Sequence, residues 1–272
     1  MEGGSLAGLT IGITAQRRAD EQARMFRSRG AEVLHGATLS LSPAGDDPAL
    51  RAATEAVVAE PPHFLLASTG YGMRAWLAAA EGWGQRDELL AALGQARVAN
   101  RGAKAASANT ATGLAEWWRA PNERFEELVH RLLDEPLSGA RVVVQLHGMP
   151  VPALIARLTA AGATVVEIDA YRSTMPEDSA PGIAVVEAAC AGDLAAVTFT
   201  TAPSLHNLFA LATRSGRQAA LRDAFNGPVV AACVGPVCAE AALEEGVAAP
   251  LVPERSRLVP LVEALTARIG AR

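Results

Sequence analysis

The sequence predicts an α/β protein built from two parallel-sheet domains, on three observations. Short apolar runs alternate with helix-patterned segments along the chain. Landmarks recur at one offset: Gly30-Ala31 and Val33 return as Gly162-Ala163 and Val165, 132 residues later, and Ser68-Thr69 returns as Thr200-Thr201 at the same spacing. Pro43 and Pro176, Gly102 and Gly235, and Gly113 and Gly246 keep an offset of 133. Aromatics are only 4% of a 272-residue chain that is 50% hydrophobic, so alanine, leucine and valine must fill cores of closely layered helix and sheet.

In order, LTIGIT is a strand and residues 16–29 a helix, closed by Gly30, a residue suited to a helix C-terminus. EVLHGATLSL is a second strand. Residues 48–59 form a helix with Asp47 as N-cap and Pro48 in its first turn. FLLAS is a strand, 71–80 and 86–94 are helices, ARVAN is a strand, and a helix runs from about 103 to 112. The series starts again from RVVVQL at 141.

The strands near 34–41 and 166–174 run into polar residues and then Pro43 or Pro176, which block continued pairing. They read as matched crossover segments, about 34–42 and 166–175, between two domains. One domain is then discontinuous, 1–38 with 175–272, and the other spans 43–168.

Net charge is -5, from 29 acidic and 24 basic residues, which argues against nucleic acid or an anionic membrane as partner. Cys190, Cys233 and Cys238 supply neither an even disulfide framework nor a C-x-x-C pair, as expected in a reducing cytoplasm. No run approaches ~18 apolar residues. The N-terminus lacks a basic segment followed by an apolar one, so neither a membrane span nor a signal peptide is expected.

Ligands of open parallel sheets sit beyond the carboxyl ends of the strands, where helix N-termini point amides outward. Ser68-Thr69-Gly70 and Thr200-Thr201-Ala202 fall there, as do Thr14, Gly102 and Gly235-Pro236. These residues bring donors without negative charge, which suits a ligand carrying carboxylates or phosphates, held in a cleft between the domains. Taken singly, each Ser or Thr is equally an N-cap worth about 1 kcal/mol. Residues 70–75 fit G-x-G-x-x-A, but no strand ending in an acidic residue follows at the required ~20 residues, so no dinucleotide is expected. The five histidines show no metal spacing, and no metal is expected; His147 lies at a strand end. Trp76 and the Trp117-Trp118 pair read as core.

The segments LTIGITAQRR, GAEV, LLASTGYGMRAW, RGAKA, GATVVEIDAYRS, AVTFTTAPSLHNLF and AACVGPVCAEAALEEG, in that order, resemble uroporphyrinogen-III synthase through nearly the full chain. The resemblance implies two flavodoxin-like domains joined by a two-stranded crossover ladder, with the active site in the cleft. It implies closure of hydroxymethylbilane, a linear tetrapyrrole with carboxylate side chains, to uroporphyrinogen III, with loss of water and inversion of ring D. The route passes through an azafulvene cation and a spiro intermediate, without a cofactor, on the way to haem, sirohaem or cobalamins. A cytoplasmic monomer is the expected form.

Tyr171 matches the family's crossover tyrosine and would assist departure of the hydroxyl, directly or through water; a packing tyrosine is the alternative. Ser68, Thr69, Gly70, Thr200, Thr201, Ser204, Gly235 and Pro236 carry over as contacts to substrate carboxylates, mostly through backbone amides. Arg17, Arg74, Arg101, Lys104 and Arg172 are the nearby cations, and Arg17 and Lys104 are preferred because they flank motif positions. Three departures stand out. Cys238 replaces the usual threonine in GPVCA and is a poorer donor. Ala15 stands where the family has arginine, and NRGAKA replaces V-G-x-x-T-A. The Cys238 and Ala15 departures keep open a second reading, a non-catalytic tetrapyrrole-binding regulator or paralogue. A two-domain binding protein of periplasmic type is disfavoured by the missing signal peptide.

Overall fold

A computed structural model describes residues 5–45 and 47–270. Strand β1 (Thr10–Ile13) leads to helix α1 (Ala19–Arg27), which buries Ala19, Gln22, Ala23 and Phe26, a one-sided stripe of helical period. Strand β2 (Glu32–His35) follows, then β3 (Ser40–Pro43). The expected single strand over EVLHGATLSL is therefore two. Gly36 explains the break: a Cβ there would collide with the Pro181 carbonyl, so the chain passes hard against backbone and leaves the sheet.

Helix α2 (Pro48–Ala59) has Asp47 as N-cap, its carboxylate accepting from Ala49 N at 2.9 Å. Then come β4 (Phe64–Ala67), α3 (Gly70–Gly82), α4 (Arg86–Leu93), β5 (Arg97–Asn100) and α5 (Ala103–Thr110). Strand β6 (Glu116–Arg119) and helix α6 (Phe125–Leu133) occupy a stretch for which the sequence pattern predicts no element. Next are β7 (Arg141–Gln145), α7 (Pro152–Ala160), β8 (Thr164–Ile168) and β9 (Tyr171–Thr174), then α8 (Ala180–Ala191), β10 (Ala196–Phe199), α9 (Ala202–Arg214), α10 (Gln218–Phe225), β11 (Val230–Cys233), α11 (Pro236–Glu244) and α12 (Leu258–Ile269).

The chain divides into two compact units, Met1–Ser40 with Thr174–Arg272, and Leu41–Ser173. The first holds a parallel sheet in the order β11-β10-β1-β2, extended by a parallel bridge from Ala232 to Leu251. The second holds a parallel sheet in the order β6-β5-β4-β7-β8, and β3 pairs with β9 in a separate two-stranded sheet. Taking β1 and β7 as equivalent first strands, both sheets show the doubly wound order 2-1-3-4, and the second completes it with β6. The repeat extends to the helices: α2, α3 and α4 recur as α8, α9 and α10 with starts 132 residues later. Gly30 and Gly162, both with positive φ (91° and 94°), end the matching helices.

Strand residues alternate between two cores, as helix-covered parallel sheets require. Leu65 and Ala67 of β4 join Val57, Met73, Trp76 and Leu93, while Phe64 and Leu66 join Phe125, Leu128 and Leu132. Trp76 is fully buried and satisfies its indole N–H on Thr54 Oγ1 at 2.8 Å; Trp117 and Trp118 on β6 are half-buried. Among the described residues no helix is long and apolar enough to cross a membrane.

Candidate active site

In the unit Leu41–Ser173 the order of strands reverses between β4 and β7, the place where such sheets open at their carboxyl ends. Gln145, the last residue of β7, organises this point from beneath. Its Oε1 accepts from Thr69 N at 2.9 Å, its carbonyl accepts from Ser68 Oγ at 2.6 Å, and its Nε2 donates to the Leu146 carbonyl. Ser68 is thereby buried and committed, and Thr69 is half-buried with its backbone fixed. Thr69 Oγ1 accepts from Gly72 N at 3.0 Å, capping α3. The glycines at 70 and 72 answer to packing, not to a dinucleotide: a Cβ on Gly70 would strike the Lys104 carbonyl, and one on Gly72 the Gln145 amide.

The same Thr69 Oγ1 lies 3.3 Å from the Tyr171 hydroxyl. Tyr171 is buried; Tyr71 meets its ring edge-on at a centroid distance of 4.8 Å and 83°. Gly148 forms the other wall with φ +79°, and a Cβ there would come within 2.7 Å of Tyr171 Cε2, so only glycine fits. Burial pushes the Tyr171 phenol above its ordinary pKa, against smaller downward pulls from the Thr69 hydrogen bond and the Arg101 charge. The group is a neutral hydrogen-bond donor at physiological pH.

Arg101, just past β5, is half-buried, and desolvation lowers its pKa while Tyr171, Glu123 and Glu126 work in the opposite direction. Its guanidinium makes no hydrogen bond or ion pair with any described residue. His147 follows β7; its Nδ1 is buried with no hydrogen-bond partner among the described residues. Burial, then the Arg101 charge, hold the imidazole below its ordinary pKa and so neutral. Gly102 precedes α5 and is covered by Glu123, whose Oε1 accepts from Ala103 N at 3.4 Å. Lys104 is exposed, and Arg172 is paired with Asp47 at 2.8 Å.

The unit holding Met1–Ser40 and Thr174–Arg272 repeats the rim with different chemistry. Thr201 caps α9, accepting from Ser204 N at 3.3 Å, and Thr201 is exposed. Ser204 is buried, its hydroxyl donating to the Thr201 carbonyl at 2.7 Å. Thr14 occupies the position of Gln145 but is short, and its buried hydroxyl is spent on the Thr198 carbonyl at 2.8 Å. Gly235 is buried, with Ser256 Oγ 2.5 Å from where its Cβ would stand; Pro236 and Arg17 are exposed and Thr200 is half-buried. Cys238 is buried, its thiol 3.7 Å from the Phe199 carbonyl and pushed far up in pKa by Cys233 and by burial. Its side chain belongs to the core. Among the described residues no three His, Cys, Asp or Glu side chains are placed to hold a metal.

Of the sequence-selected residues, the structure brings Ser68, Thr69, Gly70, Arg101, Gly102 and Tyr171 to one rim, and Thr200, Thr201, Gly235 and Pro236 to the other. Gln145, Tyr71, Glu123 and Ser256 were missed. For Glu123 and Ser256 a signal existed, since they stand 133 residues apart, like Gly102 and Gly235 beneath them.

Two doubly wound units with anion-suited strand-end rims, each completed by a discontinuous or permuted path of the chain, define a narrow class of α/β protein. A family described as uroporphyrinogen-III synthase HemD matches residues 20–263, and the chain belongs to it. A crystal structure of a mutant uroporphyrinogen III synthase from the extremely thermophilic bacterium Thermus thermophilus is similar at a TM-score of 0.76 and 25% identity, over 97% of this chain and 100% of that one. Over 268 residues, 96% of each chain, the sequence is 32% identical to a Bacillus subtilis (strain 168) protein named uncharacterized protein YjjA. Over 109 residues, 40% of this chain and 42% of the other, it is 34% identical to a putative uroporphyrinogen-III synthase of Methanothermobacter thermautotrophicus.

Proposed function

We propose that this chain is a lyase that closes hydroxymethylbilane to uroporphyrinogen III. The observation that carries the reading is the buried Tyr171 phenol, held against Thr69 at the sheet's switch point, beside an Arg101 guanidinium without a hydrogen-bond partner among the described residues. Family membership supports a tetrapyrrole substrate.

The substrate's hydroxymethyl group departs as water, so one proton must reach its oxygen as the carbon–oxygen bond breaks. The Tyr171 O–H donates toward that oxygen, and its raised pKa keeps the proton in place until the bond is polarised. Thr69, three contacts deep in the α3 turn, fixes the phenol's direction. Arg101 takes one substrate carboxylate by a charge-assisted pair, and the amide end of α3 takes another. Ring closure in the inverted sense is chiefly a matter of holding a flexible chain with its ends together, and such positioning is worth up to ~7–11 kcal/mol.

A non-catalytic tetrapyrrole-binding role is the second reading, favoured by Cys238, which puts a core thiol where the family has threonine. Supplying hydroxymethylbilane and separating the products by chromatography decides between them. Type III product is expected; type I alone, the outcome of unassisted closure, overturns the synthase.

A further inference from the structure

Glu123 is one of two non-glycine residues in the described chain with positive φ, at 57°. Its carboxylate lies over Gly102, with Oε1 2.9 Å from where a Cβ would stand, and it accepts from Ala103 N at the start of α5. In the other unit the equivalent place over Gly235, at the start of α11, is taken by the short, uncharged Ser256. Both positions cover an amide end that attracts anions. One cover is itself an anion. Next to it half-buried Arg101 keeps a guanidinium without a hydrogen bond or ion pair to any described residue, within electrostatic reach of Glu123 and Glu126.

We propose that Glu123 is a specificity-determining residue: a built-in competitor that keeps a substrate carboxylate off the α5 amides and directs it to Arg101. This rests on the tetrapyrrole reading. The two rims are then unequal by design. The α11 end stays open to a carboxylate beneath a hydroxyl, and the α5 end is closed by the protein's own carboxylate. A polycarboxylate therefore has one preferred seat in the unit Leu41–Ser173 instead of two adjacent ones, which fixes which of its side chains lies beside Tyr171.

The test uses the full chain and its Glu123→Gly and Glu123→Gln variants, with uroporphyrin and the less carboxylated coproporphyrin as fluorescent probes. Glu123→Gly relieves the left-handed backbone, so a folded protein is expected. Opening the seat should tighten uroporphyrin binding by about fivefold, with a smaller change for coproporphyrin. Glu123→Gln should move in the same direction. In parallel, the Ala103 amide resonance should move in both variants relative to the unmutated chain, because its acceptor is lost or changed. Unchanged or weaker uroporphyrin binding by the folded variants overturns the competition, as does an Ala103 amide that does not move. If the unmutated chain binds neither porphyrin, the tetrapyrrole reading falls and the competition with it, while the Ala103 resonance still reports whether Glu123 caps α5.

Discussion

Thr69 and Thr201 stand at the same point of two copies of one fold, and each accepts from the amide three residues on, at 3.0 and 3.3 Å. Beyond the cap they part. Thr69 also meets the Tyr171 phenol and receives its backbone position from Gln145; Thr201 is exposed, and the place of Gln145 is taken by Thr14, which bonds into its own sheet. At the 132-residue offset of the repeat, the residue at the position of Tyr171 is Leu39, just before β3. The lesson is that duplication supplied two anion-suited rims, and later substitutions gave only one of them a desolvated acid. On the proposed function, the chemistry falls to the copy that bears the phenol.

The most damaging change to that asymmetry is Arg101→Gln. Losing a charge-assisted carboxylate contact should lower kcat/KM by about 10²-fold, mostly through KM, with thermal stability unchanged or slightly raised because a desolvated charge is gone. Lys104→Gln, at an exposed position, should cost much less in the same steady-state assay.

Making the two rims alike from the inside is the next largest effect. Gln145→Thr copies Thr14 and leaves the Thr69 amide without its acceptor, which should destabilise the chain by about 2 kcal/mol in urea denaturation. The two caps give a finer contrast. Thr201→Ala and Thr69→Ala should each lose about 1 kcal/mol of stability, but only Thr69→Ala should also lower kcat, because only Thr69 orients a phenol. Equal turnover in the two variants would contradict the division of labour.

The smallest effect is a pH slope. His147 is held below its ordinary value of 6.5, so on acidification the unfolded chain takes up this proton before the folded one does. Its contribution to stability is complete above about pH 6.5 and is lost as pH falls from there toward the folded pKa. Denaturation midpoints between pH 7 and 5 should fall less steeply for His147→Gln than for the unmutated chain.

The repeat was legible because paired glycines, prolines and hydroxyls mark helix ends and strand ends, and those local roles leave residues of fixed type at a fixed offset. The break after β2 was not, because what forbids a side chain at Gly36 is the Pro181 carbonyl, far along the chain. Nor was β6: its Trp117-Trp118 pair lies half-buried beside a bulged register with β5, which blurs the period-2 pattern. At the rim, Tyr171, Thr69 and Arg101 were readable from motif and position. Gln145 was not, since a glutamine at a strand end has no local signature and its partner is Thr69, 76 residues away. The preference for Arg17 and Lys104 over Arg101 rested on neighbouring motif residues. The proposed function gives weight to Arg101 instead, which is half-buried near the phenol, while Arg17 and Lys104 are exposed.

The separation of chemistry from holding is tested most directly by single-turnover formation of uroporphyrinogen III in the unmutated chain, Tyr171→Phe and Thr201→Ala, followed by rapid quench. The account predicts type III product at near-normal rate from Thr201→Ala and a rate lower by about 10²-fold from a folded Tyr171→Phe. Wild-type turnover by Tyr171→Phe, or a loss of that size in Thr201→Ala instead, would contradict it.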